Sequence, residues 1–349
     1  MRYRKEHICS VMLITLLLIV VGGLLTSCSN DDTQESKSTS LQIMGFTRSG
    51  DPTQSYEGKG DYSPINLFLV DGETQKQGSA RYNGSEWRIS GFTNEDIGTS
   101  HTYSLYGFAP AEAIGSSLTV GAENTTLTLT SLPAVNAKDV CFIVGLQRIE
   151  DVNTPKGSWD DYEGNFSFTT GSTAETKNLL YLLMDHVYAS VCFTMAIDEE
   201  YAALRSIKIK KMELRSTQNT TTATITLTPN NTGADPVQSV TYSSATGSSS
   251  SATFFESKVG DELTTFDTDK AKEYTCCFLP GLSNALTLVT TYDVYDRKGN
   301  KIDERTASNK LPALTALRGD RVTINLTVAP TYLGVLSDPD LDNPTITIN

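Results

Sequence analysis

The side chains best suited to chemistry in this sequence are sparse. Three histidines are present, His7, His101 and His186, so an imidazole-based metal centre or a Ser-His-Asp relay has few residues to draw on. His101 follows a Gly-Thr-Ser turn and His186 sits near an expected domain boundary, and both read as structural. The chain carries no His-Glu-x-x-His, no phosphate-cradling Gly-x-x-x-x-Gly-Lys-Ser/Thr, no Gly-x-Gly-x-x-Gly and no Gly-x-Ser-x-Gly, so the common hydrolase and nucleotide signatures are missing. The carboxylate pairs Asp160-Asp161 and Glu199-Glu200 are adjacent in sequence. Glycosidase chemistry needs two carboxyls held about 5 to 9.5 Å apart by the fold, and adjacent residues on extended chain point to opposite sides. Among 41 acidic residues such pairs arise freely on solvated faces. Asp338, Asp340 and Asp342 alternate, but Pro339 among them, Pro344 just after them and the lack of a turn-forming glycine favour a linker over a calcium loop. Arg318-Gly319-Asp320 reads as a turn before a strand. The sequons at Asn83, Asn124 and Asn219 are expected in so Ser- and Thr-rich a chain and receive no role. The sequence therefore assigns no catalytic residue, no metal ligand and no cofactor, and the chain is read as a non-enzyme.

One cysteine carries a more specific chemistry. Arg2, Arg4 and Lys5 precede an apolar run over residues 11–25, the charged-then-apolar order of an export signal, and the run is short for a spanning helix of about 20 residues. It ends in Leu25-Thr26-Ser27-Cys28, which resembles the lipobox of bacterial lipoproteins. The resemblance implies that the Cys28 sulfur receives a diacylglyceryl group through the lipoprotein export machinery and that residues 1–27 are removed. Residues 28–40 contain no apolar side chain after Cys28 and read as a solvated tether. Asp31-Asp32 also resembles the surface-export signal of some Gram-negative lipoproteins.

Processing removes three basic residues and one acidic residue, taking the formal charge from -13 to -15. A chain this acidic is unsuited to neutralising phosphates, so nucleic acid is excluded as a partner, as is a polybasic membrane-surface role. Cys141, Cys192, Cys276 and Cys277 remain for the fold. Each lies in an apolar, strand-like stretch, where a free thiol behaves as a small hydrophobe; a disulfide is possible but not required.

From residue 41 onward, short runs alternate with period two or are rich in β-branched and aromatic residues, each bounded by Gly, Asn, Asp, Pro or Ser. The runs at 41–46, 65–70, 80–82, 87–89, 102–108, 126–129 and 140–146 form a first series, with Asn83-Gly84 as a hairpin turn. Residues 147–170 read as a long loop plus an edge strand. A second series covers 179–183, 189–197, 207–214, 222–228, 253–255, 274–279, 285–295 and 321–328, with a helical turn at 198–204 and a flexible loop at 243–251. The expected organisation is a signal peptide at 1–27, a tether at 28–40, a β-sandwich at 41–184, a second at 185–329, and a C-terminal segment at 330–349.

Four stretches then carry a likeness. They are Arg81-Tyr82-Asn83-Gly84-Ser85-Glu86-Trp87 with Tyr106-Gly107-Phe108-Ala109-Pro110; Leu183-Met184-Asp185-His186-Val187-Tyr188-Ala189; Leu204-Arg205-Ser206-Ile207-Lys208-Ile209-Lys210-Lys211-Met212-Glu213-Leu214; and Phe278-Leu279-Pro280-Gly281. In this order they resemble the fimbrillin family, lipoprotein-exported subunits of type V pili, over most of the mature chain. The resemblance implies an all-β fold of two tandem transthyretin-like β-sandwiches and an outer-membrane, cell-surface location. It further implies a structural role in a fimbria: an arginine-specific protease removes the first strand, and the vacated groove accepts a C-terminal strand of another fimbrial subunit.

Mapped onto this chain, the removable strand is 41–46 and the processing site Arg48, with Ser49 after the cut; Arg81 and Arg88 are the alternatives. The donor strand draws on Tyr332, Leu333, Val335, Leu336, Ile346 and Ile348. The other reading of 330–349 is that it closes the second sandwich on itself. A different class of function, a surface glycan-binding lipoprotein, rests on Trp87 and Trp159 as aromatic platforms. Trp87 alternates within a strand and reads as core, whereas Trp159 lies in the long loop.

Overall fold

Alternation of apolar and polar side chains decides most of the architecture, because a strand with one apolar face must bury it against another sheet. The computed structural model describes residues 41–47, 63–93, 96–149, 161–173, 176–229, 234–244, 249–266, 271–280, 285–332 and 339–349. They form an all-β fold with one short helix, α1 (Glu199–Ala202).

A first sandwich packs two sheets over one core. Its larger sheet runs β1 (Leu41–Thr47), β11 (Asn178–His186), β9 (Cys141–Ile149), β5 (Thr102–Ala109), β2 (Ile65–Asp71), β3 (Thr74–Tyr82) and β4 (Trp87–Ser90), with β10 (Ser167–Thr169) attached to β5. The facing sheet runs β15 (Val237–Ser244), β14 (Thr220–Leu227), β7 (Thr125–Pro133) and β6 (Gly115–Val120). Leu127, Leu129, Ala223, Ile225 and Leu227 of the facing sheet share one buried cluster with Phe68, Phe108, Phe142 and Leu182 of the larger one.

The second sandwich pairs a sheet of β21 (Pro339–Ile348), β20 (Arg321–Tyr332), β12 (Ala189–Ile197), β17 (Lys272–Phe278) and β8 (Val135–Asn136) with one of β16 (Ser250–Glu262), β13 (Ser206–Ser216), β18 (Leu286–Tyr295) and β19 (Lys301–Lys310). Its core gathers Phe193, Met195, Ile207, Ile209, Met212, Leu214, Leu288, Tyr292, Leu326 and Val328.

Sequence order and core membership part company at one hairpin. β14 and β15 follow the expected boundary near Asp185, yet β14 pairs with β7 on one side and β15 on the other and buries Ala223, Ile225 and Leu227 in the first core. β8 makes the opposite excursion and pairs with β17. Both displaced segments have one apolar face, and periodicity records that a face is apolar without recording which core it meets.

Extra residues keep apolar faces in phase. In β13 the buried apolar residues are Ile207, Ile209, Met212 and Leu214, a spacing that strict alternation cannot satisfy. The register shifts between Ile209 and Lys211 against both neighbouring strands, a bulge that returns Met212 to the core face. β7 does the same between Leu129 and Leu132, where Ser131 takes a left-handed φ of 63°. Pro330, which has no N–H to give to a ladder, falls where the β20–β21 register shifts between Ala329 and Thr331.

Three expectations are adjusted. Within 147–170 the expected edge strand is present as β10, paired antiparallel with β5, but residues 147–149 belong to β9, and Tyr162, Phe166 and Phe168 are buried in the first core. Gly145 permits this, since a Cβ there would stand 2.3 Å from the Tyr162 carbonyl. The 243–251 loop shrinks at both ends, because β15 reaches Ser244 and β16 starts at Ser250. The Asn83-Gly84 turn joins β3 to β4 as expected, with Gly84 at φ 100°, but it is a four-residue loop. It is closed by the Asn83 N–H on the Glu86 carbonyl at 3.1 Å and by Asn83 Oδ1, which accepts from the Ser85 and Glu86 amides at 3.0 and 2.9 Å. The helical turn at 198–204 is α1, capped by the Asp198 carboxylate, which accepts from the Tyr201 amide at 3.0 Å.

Candidate strand-exchange edges

β1 lies at the end of the larger first sheet and, among the described residues, bonds to one strand, pairing in parallel with β11 from Leu41 opposite Asn178 to Thr47 opposite Met184. Leu41 and Ile43 are 5% and 1% exposed and belong to the first core. The seat beneath them is built independently of β1. β11 is held on its other side by the full β9 ladder, and its first residue, Asn178, accepts from Arg148 Nε at 2.7 Å and from the Gly171 amide at 2.9 Å. Removing β1 therefore leaves a row of main-chain groups along β11 beside an apolar slot, a template for another strand.

Arg48 and Ser49 follow β1 directly in sequence and lie outside the described residues, as does Cys28. The alternative arginines are placed: Arg81 on β3 and Arg88 on β4 stand opposite each other in a paired hairpin, and Arg88 Nε donates to Glu86 at 3.3 Å. A protease needs extended, unpaired chain, and both sites are strand-paired.

The C-terminal segment sits at the corresponding edge of the second sandwich. β21 pairs antiparallel with β20, Ile346 opposite Val328 and Ile348 opposite Leu326. Ile346 is 5% exposed, whereas Ile348 is 36% exposed. Side chains from three other elements hold β21 in place. Asn309 Nδ2 on β19 donates to the Ile346 carbonyl at 2.6 Å, the Tyr292 hydroxyl on β18 to Pro344 at 3.1 Å, and the Tyr201 hydroxyl on α1 to Leu341 at 2.9 Å. Of the donor-strand residues, Tyr332 ends β20, Ile346 and Ile348 lie on β21, and Leu333, Val335 and Leu336 fall outside the described residues. In this structure the described part of the segment closes its own sandwich.

The remaining candidates have structural partners. Trp87 is 6% exposed against Tyr82, ring centroids 5.4 Å apart, so it is core; Trp159 lies outside the described residues. His101 Nε2 is 2.9 Å from Asp71 on an exposed surface. Glu199 and Glu200 occupy the first turn of α1, where negative charge meets the positive helix end. Asp160 and Asp338 are outside the described residues, and Asp342 accepts from Arg205 Nη2 at 3.1 Å. Arg318-Gly319-Asp320 is a turn with Gly319 at φ 78°, and its arginine pairs with Asp185 and covers the Phe142 ring at 5.8 Å. The four cysteines are free and buried, and burial pushes the Cys276 thiol up to about 12.

What the sequence does not show is how the sandwiches are joined. The Val187 amide donates to the Val140 carbonyl at 2.7 Å, the Tyr188 hydroxyl to Pro133 at 2.7 Å, the Gly319 amide to Tyr188 at 2.8 Å and the Tyr242 hydroxyl to Val187 at 2.6 Å. Beside these bonds is a cleft of about 740 Å³ lined by His186, Asp235, Tyr242, Leu317 and Arg318. The partners are 47 to 131 residues apart, and only the tertiary fold brings them together.

No protein-family profile matches this chain, and no curated protein is similar in sequence. Among solved structures, a candidate cell adhesion protein from Bacteroides ovatus aligns over 88% of this chain and 95% of its own at 11% identity, with a TM-score of 0.40. One from Bacteroides fragilis aligns over 88% and 96% at 14% identity and 0.39. The fimbrial anchor protein Mfa2 from Porphyromonas gingivalis aligns over 88% and 96% at 10% identity and 0.31. At these scores the likeness concerns general layout and carries no functional weight.

Proposed function

We propose that the chain is a lipid-anchored, cell-surface subunit of a fimbria that joins its neighbours by strand exchange and has no enzymatic role. The observation that carries this reading is β1: a terminal strand bonded on one side, burying Leu41 and Ile43, and followed immediately by Arg48. The export sequence ending in Cys28 and the acidic tether supply the surface location this role requires. The placement of Arg81 and Arg88 within a paired hairpin favours Arg48 as the cut.

The two edges are unequal. The β1 seat becomes free when one peptide bond after Arg48 is cut, whereas β21 must peel from β20 and give up the bonds from Asn309, Tyr292 and Tyr201 before it can serve a neighbour. The chain is thus built first as an acceptor, and donation by residues 330–349 requires an opening step. The test is to treat the purified mature lipoprotein with an arginine-specific protease, sequence its new N-terminus, and follow assembly by electron microscopy. A new N-terminus at Ser49 together with filaments, or with capture of a strand-donating subunit, is the expected result. Cutting elsewhere, or cutting at Arg48 with no gain in strand binding, would overturn the reading.

A further inference from the structure

We propose that Asp139, Cys141 and His186 form a binding site for a divalent transition-metal cation of the zinc class, clamping the two sandwiches where the chain crosses between them. The three ligand atoms lie within 4.8 Å of one another. Cys141 Sγ stands 3.2 Å from Asp139 Oδ2 and 3.7 Å from His186 Nδ1. Tetrahedral zinc, with bonds of about 2.3 Å to sulfur and about 2.0 to 2.2 Å to nitrogen and oxygen, sets ligand–ligand edges of roughly 3.3 to 3.6 Å. Against an edge of about 3.6 Å to sulfur, the sulfur–oxygen edge is about 0.4 Å short and the sulfur–nitrogen edge about 0.1 Å long. The third, His186 Nδ1 to Asp139 Oδ2, is a direct hydrogen bond, which the cation replaces as the carboxylate and imidazole move apart by about an ångström.

Donor chemistry points to the same class of ion. Thiolate, imidazole and carboxylate together suit zinc and its neighbours, while calcium and magnesium take oxygen ligands. On binding, the Cys141 thiol proton is released, and thiolate and carboxylate neutralise the two positive charges while a neutral imidazole completes the set. Cys141 is fully buried, and the Asp139 and His186 side chains are 16% and 14% exposed. Asp139 Oδ1 is buried without a hydrogen-bond partner among the described residues, so the carboxylate keeps an uncommitted oxygen at the site. His186 also lines the junction cleft, which gives an ion and a completing water a route in. On the imidazole's far side, a Cβ at Gly319 would lie 3.3 Å from His186 Cδ2, so the 317–320 turn packs closely against the ring.

The geometry argues against a nucleophilic Cys-His-Asp reading of the same trio. In such a relay the base uses one ring nitrogen for the nucleophile and the other for the carboxylate, whereas here both partners converge on Nδ1. The position in the fold fits a clamp. Asp139 lies on the crossing from β8 to β9, Cys141 begins β9, and His186 ends β11 just before the crossing to β12. The cation would thus fasten both crossings to each other, beside the Val187–Val140 hydrogen bond.

The test uses the full mature chain, reduced and stripped of metal, titrated with zinc by calorimetry and with cobalt by absorption. One equivalent should bind, with a thiolate-to-cobalt charge-transfer band and a raised unfolding midpoint. Asp139→Asn and His186→Gln should each weaken binding at least roughly tenfold, Cys141→Ser should abolish the charge-transfer band, and Cys192→Ser should leave both unchanged. Because Cys141 is a core residue whose variant can fail to fold, the Asp139 and His186 variants, checked by circular dichroism, decide. Absence of stoichiometric binding, or binding that both folded variants retain in full, would overturn the proposal.

Discussion

Cutting the chain after Arg48 should release β1 from the folded protein, and the structure allows the size of the effect to be worked out. Leu41 and Ile43 bury fully, worth about 1.5 to 3 kcal/mol each, so roughly 3 to 6 kcal/mol together. Pairing with β11 adds on the order of seven main-chain hydrogen bonds at about 1 kcal/mol net each. Against this, ordering the seven residues of the strand costs about 1 to 2 kcal/mol per residue, so roughly 7 to 14 kcal/mol. The midpoints nearly cancel. While the strand is covalently attached this balance suffices, since the strand cannot diffuse away. As a separate fragment it needs about 8 kcal/mol of net affinity to stay bound at micromolar concentration, and even doubling the apolar contribution leaves it near 5 to 6 kcal/mol. Native mass spectrometry of the cut protein at roughly micromolar concentration should therefore find the body without the fragment. A labelled peptide spanning residues 339–349, supplied in excess, should bind the cut protein and not the intact one. A cut protein that retains its own fragment through dilution and ignores the peptide would refute the argument, because β1 would then be a fixed strand and not an exchangeable one.

Three other expectations concern the body of the molecule. Ile346→Ala should cost about 2 to 5 kcal/mol as a large-to-small core change, lower the calorimetric midpoint by several degrees, and render β21 the first segment lost to limited proteolysis. Gly107→Ala should be poorly tolerated, since its Cβ would stand 2.2 Å from the Asn66 carbonyl on the neighbouring strand; a loss of roughly 1 to 3 kcal/mol in urea unfolding is expected, and a neutral result would show that β2 and β5 can part there. The hydrogen bond from Arg215, reinforced by charge from Arg215 and Lys211, holds the Glu213 carboxyl below its usual range. Its stabilisation is complete above the unfolded value near 4.3 and is lost as pH falls through the lower folded value, so Glu213→Gln should lower stability near neutrality and make little difference below about pH 4, flattening the acid limb.

Much of this fold is written in the residues where one face is apolar. The runs that became β2, β5, β9, β12, β13, β14 and β18 were legible because buried side chains recur along them, and β11 because its apolar run is continuous, as a strand buried on both faces requires. β19 was not legible: Lys301 to Lys310 has no buried side chain, and it is a strand only because β18 offers it an edge. β6 and most of β3 escaped for the same reason, with largely exposed patterns. The candidate edges were legible at the level of composition, since a terminal apolar strand and a following arginine are local features. Whether 330–349 extends away or closes its own sheet depends on Asn309, Tyr292 and Tyr201 reaching it, which no local pattern encodes. The Asp139–Cys141–His186 cluster was invisible for a related reason, because 45 residues separate Cys141 from its histidine.

The hairpin of β14 and β15 has a consequence for how the protein is made. The first sandwich lacks half of its facing sheet until residue 244 is available, so a chain emerging N-terminus first cannot complete that domain from its first 184 residues. Its larger sheet would wait with Phe108, Phe142 and Leu182 uncovered while the start of the second domain followed. Domains built from consecutive sequence can fold one after another as they appear; here the two are coupled, and closure of the first awaits a hairpin that lies beyond β12 and β13 of the second. On the export route proposed above, that delay leaves the first sandwich open until residue 244 has emerged, and a product truncated before it lacks two of the four strands of the facing sheet.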